Sequence, residues 1–146
     1  MTLYFQKKRE GAIIPTRATA QSAGLDLYAC LDVPVEISPH QIQMIPTGCA
    51  CQPSEQNVAL LIYARSGLAC KSGISLANGV GVVDADYRGE ICVALLNQSE
   101  KPFVVEHGMR IAQLVTTPIL YASAEESTEL SDTLRGEGGF GSSGNQ

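Results

Sequence analysis

The chain has 146 residues, of which 45% are hydrophobic and 17% charged, and its formal net charge at pH 7 is -5. This length predicts a single domain with a real core, and the apolar runs fall well short of the roughly 20 residues that a membrane span needs. The acidic balance argues against a nucleic-acid polymer as partner, because such a partner requires a basic face. Any anionic ligand must therefore be held by a few well-placed arginines.

Two further features of the sequence bear on the cell compartment. Residues 1–11 carry lysine and arginine after an apolar start, which is the reverse of a secretory signal, so a cytoplasmic protein is expected. The five cysteines are an odd number without Cys-x-x-Cys pairs or a matching histidine cluster. They are therefore predicted to be reduced, mostly buried small side chains and not zinc ligands.

Short apolar segments separated by prolines and turn residues predict a series of strands along the first half of the chain. Residues 23–29 alternate apolar side chains around Asp26, which indicates a strand. Because aspartate is disfavoured in mid-strand, Asp26 needs a specific reason to be there. Shorter strands are predicted at 33–37 and 41–45, and the near-continuous apolar run at 58–63 is typical of a strand buried on both faces.

An arginine, a hydroxyl and a glycine follow the strand at 58–63, where Arg65, Ser66 and Gly67 begin a turn or one helical turn. Together they offer a bidentate guanidinium, a side-chain donor and open backbone amides, which are the groups that hold a phosphate. The tripeptide is common in proteins, so its specificity for phosphate is low when it is taken alone.

The polar chemistry of the chain is concentrated in residues 78–90, which begin with an Asn-Gly pair and then deliver two aspartates, a tyrosine and an arginine. Because Asn and Gly tolerate positive φ, the pattern predicts a β-hairpin whose strands at 80–83 and 91–96 are joined by the intervening turn. A rigid hairpin would present Asp84 to a ligand, whereas the alternative is that Asp84 and Asp86 are ordinary turn residues. Asp86 is expected to pair with a nearby arginine.

The last third of the chain predicts two more strands and an irregular C-terminal segment. The strands at 103–105 and 110–115 flank a His-Gly turn, and residues 122–133 are polar and acidic, so an extended arm is expected there. The glycine-dense stretch from Arg135 onward is expected to be disordered in the free protein. This stretch carries an arginine, an aromatic ring and two serines, which are groups suited to closing over a ligand. The alternative is that the stretch is only a flexible linker. Many short strands with little helical periodicity predict an all-β sandwich or jelly-roll.

Five of these stretches, in their order and spacing, resemble the five motifs of the homotrimeric dUTPase (deoxyuridine triphosphate nucleotidohydrolase) family. They lie at 23–29, 64–69, 78–90, 110–114 and 135–144. The resemblance implies an all-β, distorted jelly-roll core of the β-clip type, followed by a C-terminal arm and tail, with the boundaries 1–121 and 122–146. It further implies a homotrimer with active sites at the subunit interfaces, in which each tail closes the site of a neighbour.

The resemblance also implies a reaction, namely hydrolysis of dUTP between its α- and β-phosphates to dUMP and pyrophosphate with Mg²⁺. Such an enzyme limits uracil incorporation into DNA and supplies dUMP for dTMP synthesis. Asp84 would activate the attacking water, Tyr87 would exclude a 2′-hydroxyl, and Asp26 would hold the metal through its water shell. The other residues with an implied role would bind substrate. The phosphates would be bound by Arg65, Ser66, Gly67 and Gln113, and the uracil would be read by Asn78 and the main chain from Gly79 to Val83, which includes Gly81. Phe140 would stack on the base, and the γ-phosphate would be held by Arg135, Ser142 and Ser143, with Gly141 beside them.

Three positions depart from the residues that the family usually has, namely Ala64 in place of proline, Met109 in place of aspartate and Ser143 in place of threonine. None of them removes a catalytic group. Two other functions stay open at this point: a dCTP deaminase-like enzyme, which would share the fold and parts of the motifs, and a nucleotide-gated binding module. Ammonia release from dCTP would favour the first, and dUTP binding without turnover would favour the second.

Overall fold

A computed structural model describes residues 1–139, and within that range eleven β-strands and one short α-helix make up the regular structure. The predicted all-β class is therefore confirmed. The elements in chain order are β1 (Leu3–Lys7), β2 (Leu25–Tyr28), β3 (Val35–Ile37), β4 (Ile42–Pro46), β5 (Cys49–Pro53), β6 (Val58–Ala64), α1 (Ser66–Ser72), β7 (Ile74–Leu76), β8 (Gly81–Val83), β9 (Cys92–Asn97), β10 (Phe103–Val105) and β11 (Arg110–Pro118).

The strands form two larger sheets and two small ones. The larger sheets have the orders β2-β11-β6-β8 and β4-β9-β7, and the small ones pair β1 with β5 and β10 with β3. Every pairing is antiparallel. Strands β6 and β11 lie inside the four-stranded sheet, and consecutive residues of β6 are buried on both faces, in agreement with its continuous apolar sequence.

The hydrophobic core draws side chains from both larger sheets. Leu27, Leu60 and Leu114 come from the four-stranded sheet, and Ile45 and Leu95 come from the three-stranded sheet. Each is at most 1% exposed. Truncating such a leucine to alanine typically costs about 2–5 kcal/mol, so this core is the stable base on which the polar residues are mounted.

The predicted hairpin at 78–90 is wrong, although both of its strands exist. Strand β8 pairs with β6, whereas β9 pairs with β4 and β7, so residues 84–91 cross from one larger sheet to the other. The cause lies in burial, because Val93 and Leu95 of β9 face the core and β9 takes strands of its own sheet on both edges. The Asn-Gly pair does mark a turn, since Gly79 has a φ of 70°, but that turn joins β7 to β8.

The remaining predicted strands are confirmed within a few residues, and β7 is one that the sequence analysis missed. Of the cysteines, three are buried and two are exposed, in agreement with the expectation of mostly buried thiols. Residues 122–133 are exposed and carry no strand or helix. In the described part of the chain, no helix is long and apolar enough to cross a membrane.

Candidate active site

One carboxylate and two guanidinium groups meet at the edge of the four-stranded sheet. Asp26 Oδ1 forms an ion pair with Arg65, whose Nε lies 3.0 Å away, and Asp26 Oδ2 accepts a charged hydrogen bond from Arg110 Nη1 at 3.1 Å. Asp26 lies on β2, which pairs with β11, and Arg65 directly follows β6 on the other side of β11. Because Asp26 is only 9% exposed, the two arginines supply the counter-charge that a buried carboxylate needs.

A cleft of about 200 Å³ opens beside this cluster. Gln113, which is opposite Asp26 in the β2–β11 register, donates from Nε2 to the carbonyl oxygen of Ala64 at 3.1 Å. The Gly24 backbone packs against Gln113, since a Cβ on Gly24 would come within 3.0 Å of its Oε1. The cleft is lined by Ala18, Ser22, Gly24, Asp26, Arg65, Ser66, Gly67 and Gln113. The predicted phosphate-binding residues are therefore together.

The residues with anion-binding chemistry in this cleft are accessible to a ligand. Ser66 and Gly67 are exposed and open the first turn of α1, where backbone N–H groups have no partner within the helix. Arg65 donates from Nη1 to the carbonyl oxygen of Arg110 at 3.3 Å, so the guanidinium of this cleft-lining residue is held in place. Fixed guanidinium and amide donors at one opening suit a phosphate group.

A second cleft, of about 500 Å³, contains Asp84. Its lining residues are Gln56, Asp84, Ala85, Asp86, Arg88, Ile119 and Tyr121. Asp84 is exposed and starts a β-turn, in which the Tyr87 N–H donates to the Asp84 carbonyl at 3.1 Å. Arg88 Nη1 secures the turn by donating to the carbonyl oxygens of Ala85 at 2.7 Å and Tyr87 at 3.0 Å. The backbone that carries Asp84 is therefore held by three hydrogen bonds, although it does not belong to the hairpin that the sequence predicted.

Asp86 does not pair with an arginine in the described residues, contrary to the sequence-based expectation. The neighbouring Arg88 directs its guanidinium to backbone carbonyls instead. An arginine folded back on its own turn satisfies its donors without the side-chain carboxylate two residues earlier, which sequence proximity alone does not reveal.

The predicted uracil-reading and tail residues occupy more varied positions. Asn78 is exposed in the turn before β8, Gly81 is buried, and Val83 is half-buried and pairs with Leu60. Arg135 is exposed and donates from Nε to the Gly138 carbonyl at 2.7 Å. The other four tail residues with predicted roles lie outside the described residues, namely Phe140, Gly141, Ser142 and Ser143.

The two clefts are lined by different residues, so the phosphate-binding candidates and Asp84 line separate openings of one chain. Arg110 is a site residue to which the sequence analysis assigned no role. The signal was its place on β11, three residues before Gln113, on a strand that lies next to the one carrying Asp26. Recognising it required the sheet order, which sequence patterns do not provide.

The described residues contain no group of three or more His, Cys, Asp or Glu side chains that could hold a metal ion. The buried carboxylate at the cleft, Asp26, is already paired with Arg65 through one oxygen and with Arg110 through the other. Each carboxylate oxygen has a second lone pair that can still accept from a water molecule. These residues therefore fit Mg²⁺ through its water shell, with phosphate oxygens as direct ligands, and do not fit a cation held only by protein.

Comparison with known proteins identifies the family of the chain. The dUTPase family model matches residues 10–144. The chain belongs to the dUTPase family. The deoxyuridine 5'-triphosphate nucleotidohydrolase of Desulfitobacterium hafniense is 49% identical over 140 residues, covering 96% of this chain and 93% of that protein. The predicted family and enzyme class, dUTP diphosphatase, are confirmed.

Solved dUTPase structures share the fold. The Staphylococcus bacteriophage 80alpha dUTPase with dUPNHPP has a TM-score of 0.88 at 27% identity, and the match covers 99% of both chains. A mutant dUTPase from phage phi11 of S. aureus, which coordinates a structural Mg(II) ion, has a TM-score of 0.80 at 21% identity, covering 90% of this chain and 100% of that one. The predicted dUTPase-like jelly-roll fold is thereby confirmed.

Proposed function

We propose that this member of the dUTPase family hydrolyses dUTP to dUMP and pyrophosphate with Asp84 as the general base. The observation that carries the proposal is the exposed Asp84 carboxylate on a turn whose backbone is held by three hydrogen bonds. A general base must be held in position and open to water, so the hydrogen-bonded backbone and the exposure of Asp84 support this role. The product dUMP would feed dTMP synthesis, and removal of dUTP would limit uracil incorporation into DNA.

In the proposed reaction, Asp84 accepts a proton from a water molecule as the water oxygen attacks the α-phosphorus. A new phosphorus–oxygen bond forms, and the bond from the α-phosphorus to the α,β-bridging oxygen breaks. The electron pair of that bond leaves on pyrophosphate, and the oxygen from water remains on dUMP. Proton acceptance by a positioned carboxylate contributes roughly 10²- to 10⁴-fold to such a rate.

The phosphates of dUTP would bind in the cleft that contains the arginine pair. Arg65, Ser66 and Gly67 would contact phosphate oxygens, with Gln113 beside them, and Arg135 with the tail would close over the γ-phosphate. Asp26 would hold Arg65 in place and accept from water molecules on Mg²⁺. The metal, when bound, would neutralise charge on the phosphates.

Uracil and deoxyribose recognition would come from the segment around β8. The side chain of Asn78 and the backbone of Gly81 and Val83 would pair with the uracil edge, which rejects cytosine because its donors and acceptors are reversed. The Tyr87 ring, 47% exposed, is available to pack against the sugar and leave no space for a 2′-hydroxyl.

We further propose that the working site is shared between the subunits of a homotrimer. The separate clefts support this, because a site that uses both Asp84 and Arg65 can be completed by two chains. Leu120, Leu130 and Leu134 support it as well, since each is at least 89% exposed in a single chain. Apolar side chains so placed along an extended segment indicate packing against a partner. Residues 1–121 would be the core and residues 122–146 the arm and tail that reach a neighbouring subunit.

A complementation experiment tests the shared site and the role of Asp84 together. Asp84→Asn should retain nucleotide binding and lose roughly 10²- to 10⁴-fold in kcat, and Arg65→Ala should lose phosphate binding. If each site takes Asp84 from one subunit and Arg65 from another, equal amounts of the two variants, unfolded and refolded together, should give trimers with about a quarter of their sites intact.

The control is each variant refolded alone, which should stay near its own low activity. Recovery of about a quarter of wild-type activity in the mixture would support both the shared site and the two residue roles. Activity no higher than the sum of the two variants would contradict the shared site, and near-normal turnover by Asp84→Asn alone would contradict its role as base.

A further inference from the structure

The Tyr87 side chain is hydrogen-bonded to Glu90, a residue outside the predicted site. Its hydroxyl donates to the backbone carbonyl of Glu90 at 3.1 Å. Where the side chain joins the backbone, the Tyr87 N–H donates to the backbone carbonyl of Asp84. Both ends of the side chain are therefore restrained, although nearly half of its surface is exposed.

The space for the Tyr87 ring exists because residue 89 is glycine. A Cβ on Gly89 would lie 2.2 Å from Tyr87 Oη and 2.4 Å from Tyr87 Cζ, and neither atom can be approached so closely. The φ of Gly89 lies outside the left-handed region, so an alanine there would be tolerated by the backbone. The conflict at this position is thus with the ring itself.

The carbonyl that accepts from Tyr87 belongs to a peptide unit that is itself anchored. The N–H of that planar unit, on Ile91, donates to the Cys49 carbonyl at 2.8 Å, and the Ile91 carbonyl accepts from the Thr47 N–H at 3.1 Å. The Glu90 carboxylate adds a second anchor, because its Oε1 accepts from the Gly48 N–H at 2.8 Å.

Arg9 completes this arrangement from a distant part of the sequence. Its Nε lies 2.8 Å from Glu90 Oε1 and 3.1 Å from Glu90 Oε2. The Glu90 carboxylate is only 20% exposed, so the ion pair is partly screened from water. One side chain, Glu90, thus connects the N-terminal segment, the start of β5 and the acceptor for the Tyr87 hydroxyl.

We propose that Gly89 and Glu90, the latter held by Arg9, position the Tyr87 ring and thereby determine selectivity for deoxyribose over ribose. This inference rests on the proposed role of Tyr87 in sugar recognition. A ring held at its backbone and at its hydroxyl presents one fixed surface to the sugar. A ring that can swing away leaves space for a 2′-hydroxyl, so a hydroxylated substrate is no longer rejected.

The test is the ratio of kcat/KM for dUTP to kcat/KM for UTP. Gly89→Ala should lower this ratio by about tenfold or more, because a displaced ring no longer excludes the hydroxyl. In a Tyr87→Ala background the same Gly89→Ala change should lower the ratio no further, because the ring through which Gly89 acts is absent. A purely structural role for Gly89 would lower dUTP and UTP turnover in parallel and leave the ratio unchanged.

A second set of variants tests Glu90 and Arg9 without placing a new atom beside the ring. Arg9→Gln and Glu90→Gln should each lower the ratio by roughly two- to tenfold, in the range of one weakened hydrogen bond. Arg9→Lys should restore part of the loss. Lys8→Gln, which removes an adjacent exposed positive charge, should leave the ratio at the wild-type value. These variants carry the test if Gly89→Ala does not fold, as judged by thermal unfolding.

The possible outcomes separate this inference from the function on which it rests. An unchanged ratio in Tyr87→Ala would overturn the role of Tyr87 in sugar recognition, and the positioning inference with it. A ratio that collapses in Tyr87→Ala but is unchanged in Gly89→Ala, Arg9→Gln and Glu90→Gln would overturn the positioning inference alone. A lowered ratio in those variants, with no further loss in the Tyr87→Ala background, would establish it.

Discussion

Replacing Asp26 with asparagine removes the negative charge that pairs with two guanidinium groups while keeping the shape of the side chain. In the wild-type structure, Arg65 and Arg110 each form an ion pair with a different oxygen of the Asp26 carboxylate. Asparagine can still accept on one oxygen, but its amide group is a donor and faces a guanidinium that is also a donor. Two positive groups are then left close together without a counter-charge.

The expected loss of stability follows from the burial of the two pairs. The Arg65 side chain is 28% exposed, and removing one charge from a buried ion pair costs about 3–5 kcal/mol, so this partly exposed pair should contribute somewhat less. The Arg110 side chain is 47% exposed, so its pair contributes only about 0–1 kcal/mol. Since asparagine retains part of the first interaction, we expect Asp26→Asn to lower the free energy of unfolding by about 2–3 kcal/mol.

The assay is thermal unfolding followed by circular dichroism at one protein concentration, because subunit association would otherwise shift the midpoint. A loss of this size should lower Tm by about 4–12 °C in a chain of this length. Asp32→Asn is the matched control, since Asp32 is exposed and forms no ion pair within residues 1–139. A Tm for Asp26→Asn equal to that of the control would refute the view that Asp26 holds the two arginines.

Two other predictions concern the tail and a buried thiol. Deleting residues 135–146 should leave Tm within about 2 °C of wild type, because the hydrogen bonds of residues 135–139 are local. The same deletion should abolish most turnover of dUTP. Full activity of the truncated chain would exclude closure of the site by the tail. Burial raises the pKa of the Cys51 thiol from 9.0 to about 11, so the unfolded chain ionises first as pH rises. The contribution of Cys51 to stability is therefore intact below pH 9 and declines toward pH 11. Between these pH values, urea unfolding should show that the wild type loses up to about 2–3 kcal/mol more free energy of unfolding than Cys51→Val does. Equal losses in the two proteins would contradict the raised pKa of Cys51.

The strands of this protein could be predicted from local patterns, but their partners could not. Alternating or continuous apolar runs located β2, β6 and β11, because burial of one or both strand faces leaves a mark within a few residues. The pairing of β8 and β9 was mispredicted as a hairpin, because an Asn-Gly pair signals a turn without stating which sheet receives the next strand. Sheet order depends on contacts between residues far apart in the chain.

In the candidate site as well, some residues could be predicted from local sequence, but their partners could not. The mid-strand position of Asp26 showed that it needed a partner, yet the partner Arg110 is 84 residues away and becomes visible only when β11 lies beside β2. Glu90 was missed for a similar reason, because its contacts are Gly48, at 42 residues, and Arg9, at 81 residues. A side chain whose role is to hold another residue carries no motif of its own.

The most direct test of the proposed function is a product analysis with four nucleotides. The chain would be incubated separately with dUTP, dCTP, dTTP and UTP in the presence of Mg²⁺, and monophosphate, pyrophosphate and ammonia would be measured. We expect dUTP alone to be consumed at a substantial rate, with dUMP and pyrophosphate formed in equal amounts. Ammonia release from dCTP, or binding of dUTP without any turnover, would contradict the proposed function.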